Sequence, residues 1–148
     1  MRKVFVLLSV VALIALAFES ATFVLERNRI QNLCLSGHSR IETAHDAIDV
    51  MRNYRDGSYL VGKVLSRARQ FDAFQNDGYA TSRTDDGSTR GGGWLVEEWN
   101  TPLITRGYTV TFEYYAPEFR PEIEVKCDVL ECGAIDISNC RTLGAFYS

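Results

Sequence analysis

The chain has 148 residues, of which 46% are apolar and 24% charged, and its net charge is −3. The charge is uneven: residues 18–74 carry eight basic and seven acidic groups, and residues 75–148 carry six basic and twelve acidic ones. An acidic second half argues against a nucleic-acid partner, which needs a basic face, and no polybasic run is present to hold anionic lipid.

The N-terminus is the first informative segment. Arg2 and Lys3 precede an uncharged apolar run over residues 4–18. That run suits the core of a secretory signal peptide, and Ala15 and Ala17 supply the small side chains of an A-x-A cleavage pattern. The same segment also fits a single-pass anchor. Extended to Leu25 it reaches 22 residues, enough to span, with Glu19 about 22 Å along from Val4 at 1.5 Å per residue. Glu19 would then lie near the outer boundary of an apolar core about 30 Å thick, and Arg2 and Lys3 would stay in the cytoplasm. Residues 1–25 are therefore a signal peptide or a membrane anchor. Both send residues 26–148 out of the cytoplasm.

Residues 26–74 read as helical. The first helix continues from the apolar run to about Leu33, before Ser36 and Gly37. Ser39 and Glu42 have the spacing of a capping box. Ile41, Ala44, Ile48 and Met51 follow at helical spacing, and Gly57 is a natural stop. A further helix is predicted over residues 59–74, with Val61, Val64, Leu65, Ala68, Phe71 and Phe74 as its apolar stripe and Gly62 as a mild weakness.

Residues 75–93 are rich in Gly, Ser, Thr, Asp and Arg and read as a long exposed loop. Arg90-Gly-Gly-Gly93 lacks the Gly-Lys-Ser/Thr ending of a phosphate-binding loop and precedes a strand, so it reads as a hinge. Asp85, Asp86, Ser88 and Thr89 cluster oxygens, but without EF-hand spacing or a bidentate glutamate, so they read as a solvated turn.

Residues 94–148 are strand-rich. Trp94 to Trp99 is a short strand candidate. Tyr108, Val110, Phe112 and Tyr114 alternate with Thr109, Thr111, Glu113 and Tyr115, and Ile123, Val125 and Cys127 alternate again after Pro117 and Pro121. The expected architecture is α+β: an apolar N-terminal helix and amphipathic helices packed on an antiparallel meander of three to four strands with one wet face.

Four cysteines remain in an exported chain, Cys34, Cys127, Cys132 and Cys140, which implies two disulfides. The favoured pattern joins Cys127 or Cys132 to Cys140 and Cys34 to the remaining one, stapling the first helix to the C-terminal region. The rival use is zinc, through Cys34 and His38 with Cys127 and Cys132. It lacks a C-x-x-C pair, and exported cysteines oxidise, so no metal is expected. No cofactor motif is present.

His38 and His45 are the only histidines. His45 stands one turn from both Glu42 and Asp49, as a catalytic imidazole or an ordinary helix-surface contact would. No G-x-S-x-G surrounds any serine, so no catalytic residue is assigned. The aromatics crowd between Trp94 and Phe119. Trp99, Tyr115 and Phe119 fall at strand ends or in the Pro-rich loop, where exposed rings make a binding surface for a protein partner; the alternative is that they pack on the helices.

The order of an apolar N-terminal helix, an amphipathic extension, a glycine-rich loop, an antiparallel meander and a disulfide-bonded C-terminal region resembles type IV pilins and pseudopilins. The resemblance is one of layout. The glycine-ended leader and early glutamate of that family are not matched, because no glycine precedes the run and Glu19 follows it. The expected function is a non-enzymatic binding or accessory subunit of an envelope or membrane complex. A pilin-like structural subunit is the alternative, and an exported enzyme the third reading.

Overall fold

The computed structural model describes residues 2–35, 40–76, 78–83, 89–101, 105–115 and 121–143, with side chains from residue 9 onward except those of 79–83, 89, 90, 121 and 122. His38, Ser39, Asp85, Asp86, Ser88 and Phe119 lie outside the described residues.

Helix α1 (Arg2–Cys34) is one unbroken helix of 33 residues. Within it Ser9–Cys34 is long and apolar enough to cross a membrane, with a mean hydropathy of 1.8 and none of the apolar window buried. Among the described residues, the helix packs on the rest of the protein near its C-terminal end, where Ile30 is buried.

Helix α2 (Ala44–Asn53) begins later than the Ser39 and Glu42 spacing predicts. The capping box is built instead from Thr43 and Asp46. The Thr43 hydroxyl accepts from the Asp46 N–H at 3.2 Å, and the Asp46 carboxylate accepts from the N–H groups of Thr43 at 2.8 Å and Glu42 at 3.1 Å. The displacement has a tertiary cause. Ile41 is buried and its N–H donates to the Glu131 carbonyl at 2.7 Å, which holds residue 41 extended against the sheet. The Thr43 hydroxyl and the two backbone amides keep Asp46 below the usual carboxylate range.

The helix predicted over residues 59–74 is two helices, α3 (Leu60–Ala68) and α4 (Asp72–Gln75). Arg69 lies at the break. Its guanidinium donates to the Arg52 carbonyl at 3.2 Å and to the Tyr54 carbonyl, sealing the end of α2. The turn lets Phe74 enter the core edge-on to Phe112 at 5.1 Å and tilted against Trp94 at 5.0 Å. A straight helix would carry Phe74 away from both rings. Gly62 has a packing reason, since a Cβ there would lie 1.8 Å from the Asp56 carbonyl oxygen.

The sheet is a five-stranded antiparallel meander in sequence order: β1 (Tyr79–Arg83), β2 (Thr89–Thr101), β3 (Thr105–Tyr115), β4 (Pro121–Leu130) and β5 (Ile135–Leu143). The α+β architecture is as expected. The stretch read as a loop over residues 75–93, however, contains β1 and the start of β2. Gly91, Gly92 and Gly93 are not a hinge but ladder residues, held between Thr81, Ala80 and Tyr79 on one side and Tyr115, Tyr114 and Glu113 on the other. The close approach of β3 favours glycine there: a Cβ on Gly92 would lie 2.5 Å from the Glu113 carbonyl oxygen.

The inner sheet face carries Trp94, Tyr108, Val110, Phe112, Ile123, Val125, Cys127 and Val129, against Ile48, Met51, Val61, Val64, Leu65 and Phe74 of the helices. Helix α2 packs on β2, β3 and β4, and α3 packs on β4 and β5. The disulfides join Cys34 to Cys132 and Cys127 to Cys140. This is one of the two pairings that the favoured pattern leaves open, and all four sulfurs are used, so the zinc reading has no thiolate left.

Met51 is fully buried and Leu95 is 43% exposed. Met51→Ala is expected to destabilise the fold by about 2–5 kcal/mol in urea unfolding, while Leu95→Ala changes it by less than about 0.5 kcal/mol. The cap gives a pH signature. A carboxyl whose folded pKa is depressed stabilises above its unfolded value and loses that contribution as pH falls through the lowered one. The urea-midpoint difference between the protein and Asp46→Asn is therefore expected to be full at neutral pH and to shrink below about pH 4.

Candidate functional site

The outer face of the sheet is set by strand parity. Trp99, Gly107, Thr109, Thr111, Glu113 and Tyr115 share it with Lys126, Asp128 and Leu130, opposite the inner core. The base of α1 covers one end of this face. Glu26, Arg29, Ile30 and Leu33 recur at helical spacing and turn one stripe toward the sheet. Ile30 packs with Leu130, Ala134, Trp99 and the Cys34–Cys132 bond. Cys34 thus ends the docked stripe and fixes it covalently.

Trp99 is half-buried. Its ring crosses β3 at its cross-strand partner Gly107, where an added Cβ would lie 2.6 Å from the ring. The glycine makes room for the indole. The indole Nε1 is buried without a hydrogen-bond partner.

An irregularity in β5 supplies the polar part of the site. The register pairs Lys126 with Arg141 and Asp128 with Asp136, so residues 137–140 stand opposite Cys127 alone. Such a bulge re-aims side chains, and the Cys127–Cys140 bond ties it down. Ser138 and Asn139 consequently reach the outer face. Ser138 donates to Asp136 Oδ1 at 2.6 Å, and Asn139 donates to Asp128 Oδ2 at 3.3 Å. Thr109 donates to the other Asp128 oxygen at 2.7 Å.

Arg29 joins helix to sheet. Its guanidinium grips Glu26 with two bonds of 3.0 and 2.6 Å, and Nη1 donates to Asp136 Oδ2 at 2.6 Å and Ser138 Oγ at 2.9 Å. The Asp136 side chain is only 3% exposed, so it requires this cation. Between the helix base and the sheet lies a cleft of about 440 Å³ lined by Arg29, Trp99, Thr109, Asp128, Asp136 and Asn139, among others. A second polar recess, shared through Thr109, Asp128 and Asn139, continues it toward Lys126 and Arg141. The combined surface presents both signs of charge beside one indole. That chemistry suits recognition of a polar segment by hydrogen bonds and ion pairs.

Of the residues expected to form a binding surface, Trp99 lines the cleft. Tyr115 is on the same outer face, but eight strand positions from Gly107, about 26 Å away. Its hydroxyl donates to Glu113 at 2.7 Å. The two rings therefore do not form one patch, and Phe119 lies outside the described residues. His45 sits on the exposed surface of α2 with Nε2 3.5 Å from Asp49, an i, i+4 helix-surface pair. Nothing in the sequence pattern marks Arg29, Asp128, Asp136 or Asn139 as site residues. They come together through a bulge and a helix docking across 107 positions, which local spacing does not encode. Compared with known proteins, the chain matches no family model, no curated protein and no solved structure.

Arg29→Ala leaves Asp136 buried with Ser138 as its remaining side-chain donor. It is expected to cost about 2 kcal/mol, measured by urea unfolding, as lost hydrogen bonds to charged groups do. Adding Asp136→Asn is expected to recover part of that loss, and simple additivity of the two changes would show that the pair is not coupled.

Proposed function

We propose that the protein is an extracytoplasmic binding subunit, held to a membrane by α1 and serving as an accessory component of an envelope or membrane complex. The observation that carries this reading is the division of α1 into two halves. Eight large apolar side chains of its outer half, between Val10 and Leu25, are 47–70% exposed, with Phe23 half-buried among them, whereas its base is docked and ends in a disulfide. Water does not favour so much apolar surface on one helix, and a bilayer does. Two hydroxyls along that half are satisfied locally: Ser20 donates to the Leu16 carbonyl at 2.7 Å and Thr22 to the Glu19 carbonyl at 2.8 Å. Residues 4–25 cover about 32 Å, close to the apolar thickness of a bilayer. Glu26 follows directly, so the cleft would lie at the membrane surface. Two disulfides fit the oxidising side, and Arg2 and Lys3 fit a cytoplasmic N-terminus.

Binding is assigned to the outer sheet face at the cleft beside Trp99, which does not extend to Tyr115. A second reading is a pilin-like structural subunit, in which the projecting half of α1 would pack against other copies. The helix that is half free and half docked on a disulfide-bonded sheet favours it; the unmatched leader weighs against it.

Native protein is expected to stay in the membrane fraction after alkaline washing, while a chain beginning at residue 26 is released. A washed-off full-length product overturns the anchored reading. Sedimentation of the native material as long polymers supports the structural subunit instead.

A further inference from the structure

Beyond the cleft and the helix, the sheet has a free edge. Strand β2 spans Thr89–Thr101, but β1 covers only Thr89 to Gly93. The Trp94 N–H still reaches across, donating to the Gly78 carbonyl at 3.1 Å. Backbone groups alternate in direction along an antiparallel strand. Leu95, Glu97 and Trp99 therefore bond toward β3, and Val96, Glu98 and Asn100 turn their N–H and C=O groups outward. Among the described residues, no hydrogen bond closes onto those outward groups.

The opposite edge of the sheet is treated differently. Strand β5 is bulged and tied by Cys127–Cys140, and α3 lies against it. Bulging and covering are ways in which proteins blunt a sheet edge. Helices α2 and α4 also touch β2, but the strand is not bulged: its register with β3 runs from Gly91 to Thr101 without a shift. It is a straight, available template.

We propose that this edge, residues 95–101, accepts an added β-strand from another protein, an extended segment carrying a cationic side chain. Its charge selects that occupant over a second copy of the chain. Glu97 is exposed on the outer face, and among the described residues no cation pairs with it. Glu98, on the inner side, is already paired with Arg106 at 3.0 Å. Antiparallel pairing of two copies about the middle of this edge sets Glu97 or Glu98 at or beside its own image, and like charges directly opposed destabilise a strand pair. A lysine or arginine across from Glu97 removes that penalty. The main chain would supply the affinity and the Glu97 carboxylate the selectivity. Trp99, near one end of this edge, packs on Ile30 of α1, but the outward groups of Val96, Glu98 and Asn100 and the Glu97 carboxylate are not part of that contact, so the proposal does not depend on membrane anchoring.

The test uses the full chain in detergent micelles and amide hydrogen exchange. The probe is a synthetic heptapeptide of alternating valine and lysine, with an alternating valine and glutamate peptide as control. The lysine peptide is expected to slow exchange at Val96, Glu98 and Asn100 by about tenfold or more, without changing Leu95, Glu97 or Trp99, which already bond within the sheet. The glutamate peptide is expected to have no effect. Glu98→Pro removes an outward donor at an edge position, where proline is tolerated, and is expected to abolish the response. Glu97→Lys is expected to transfer it to the glutamate peptide, and this charge swap carries the test should Glu98→Pro not fold. Slow exchange at these amides without peptide, protection that grows with protein concentration alone, or no response to the lysine peptide would each overturn the proposal.

Discussion

The fastening of α1 to the sheet is the interaction on which the rest depends. Cys34–Cys132 closes it covalently, Ile30 fills the space beside Leu130, and Arg29 brings a cation to the buried Asp136. These contacts occupy only the last turns of a 33-residue helix. A disulfide closing a loop of 98 positions can stabilise the fold by about 4–5 kcal/mol on a chain-entropy account. It also holds the apolar half of the helix at a fixed angle to the domain. Without the bond and the ion pair, the helix and the sheet would be two bodies joined by a short segment.

The sheet performs two tasks on two faces. Its inner face builds the core with α2, α3 and α4, centred on Phe74, Trp94 and Phe112. Among the described residues, its outer face is covered by another element only where α1 sits. The bulge in β5 makes the open face chemically specific by turning Ser138 and Asn139 toward Asp136 and Asp128. The Cys127–Cys140 bond spans that bulge. One disulfide thus fastens the helix that walls the cleft, and the other ties the bulge from the inner side of the sheet.

Much of the architecture is legible in residue order. The apolar run announces α1, alternation from Tyr108 to Tyr115 announces β3, and the even cysteine count announces two bonds. The failures share a cause, which is that tertiary contacts override local pattern. Gly91 to Gly93 carry no alternation, yet neighbours on both sides hold them in the ladder. The stripe from Val61 to Phe74 has helical spacing, but the Arg69 turn is needed to bring Phe74 to Trp94. Thr43 displaces Ser39 as the cap because Ile41 is held by Glu131. The cleft was least legible. Only Trp99 was anticipated, since aromatic residues near strand ends are visible in a sequence, while a bulge that re-aims Ser138 and Asn139 is not.

Anchoring by α1 requires that residues 1–25 stay attached to a domain that matured in oxidising surroundings. The intact mass of the protein purified from its native membrane reads both halves of that requirement at once. The account predicts the mass of the chain with its apolar N-terminus retained, less the four hydrogens lost in forming Cys34–Cys132 and Cys127–Cys140. A mass for a chain beginning at residue 18, or one with all four thiols reduced, would contradict it.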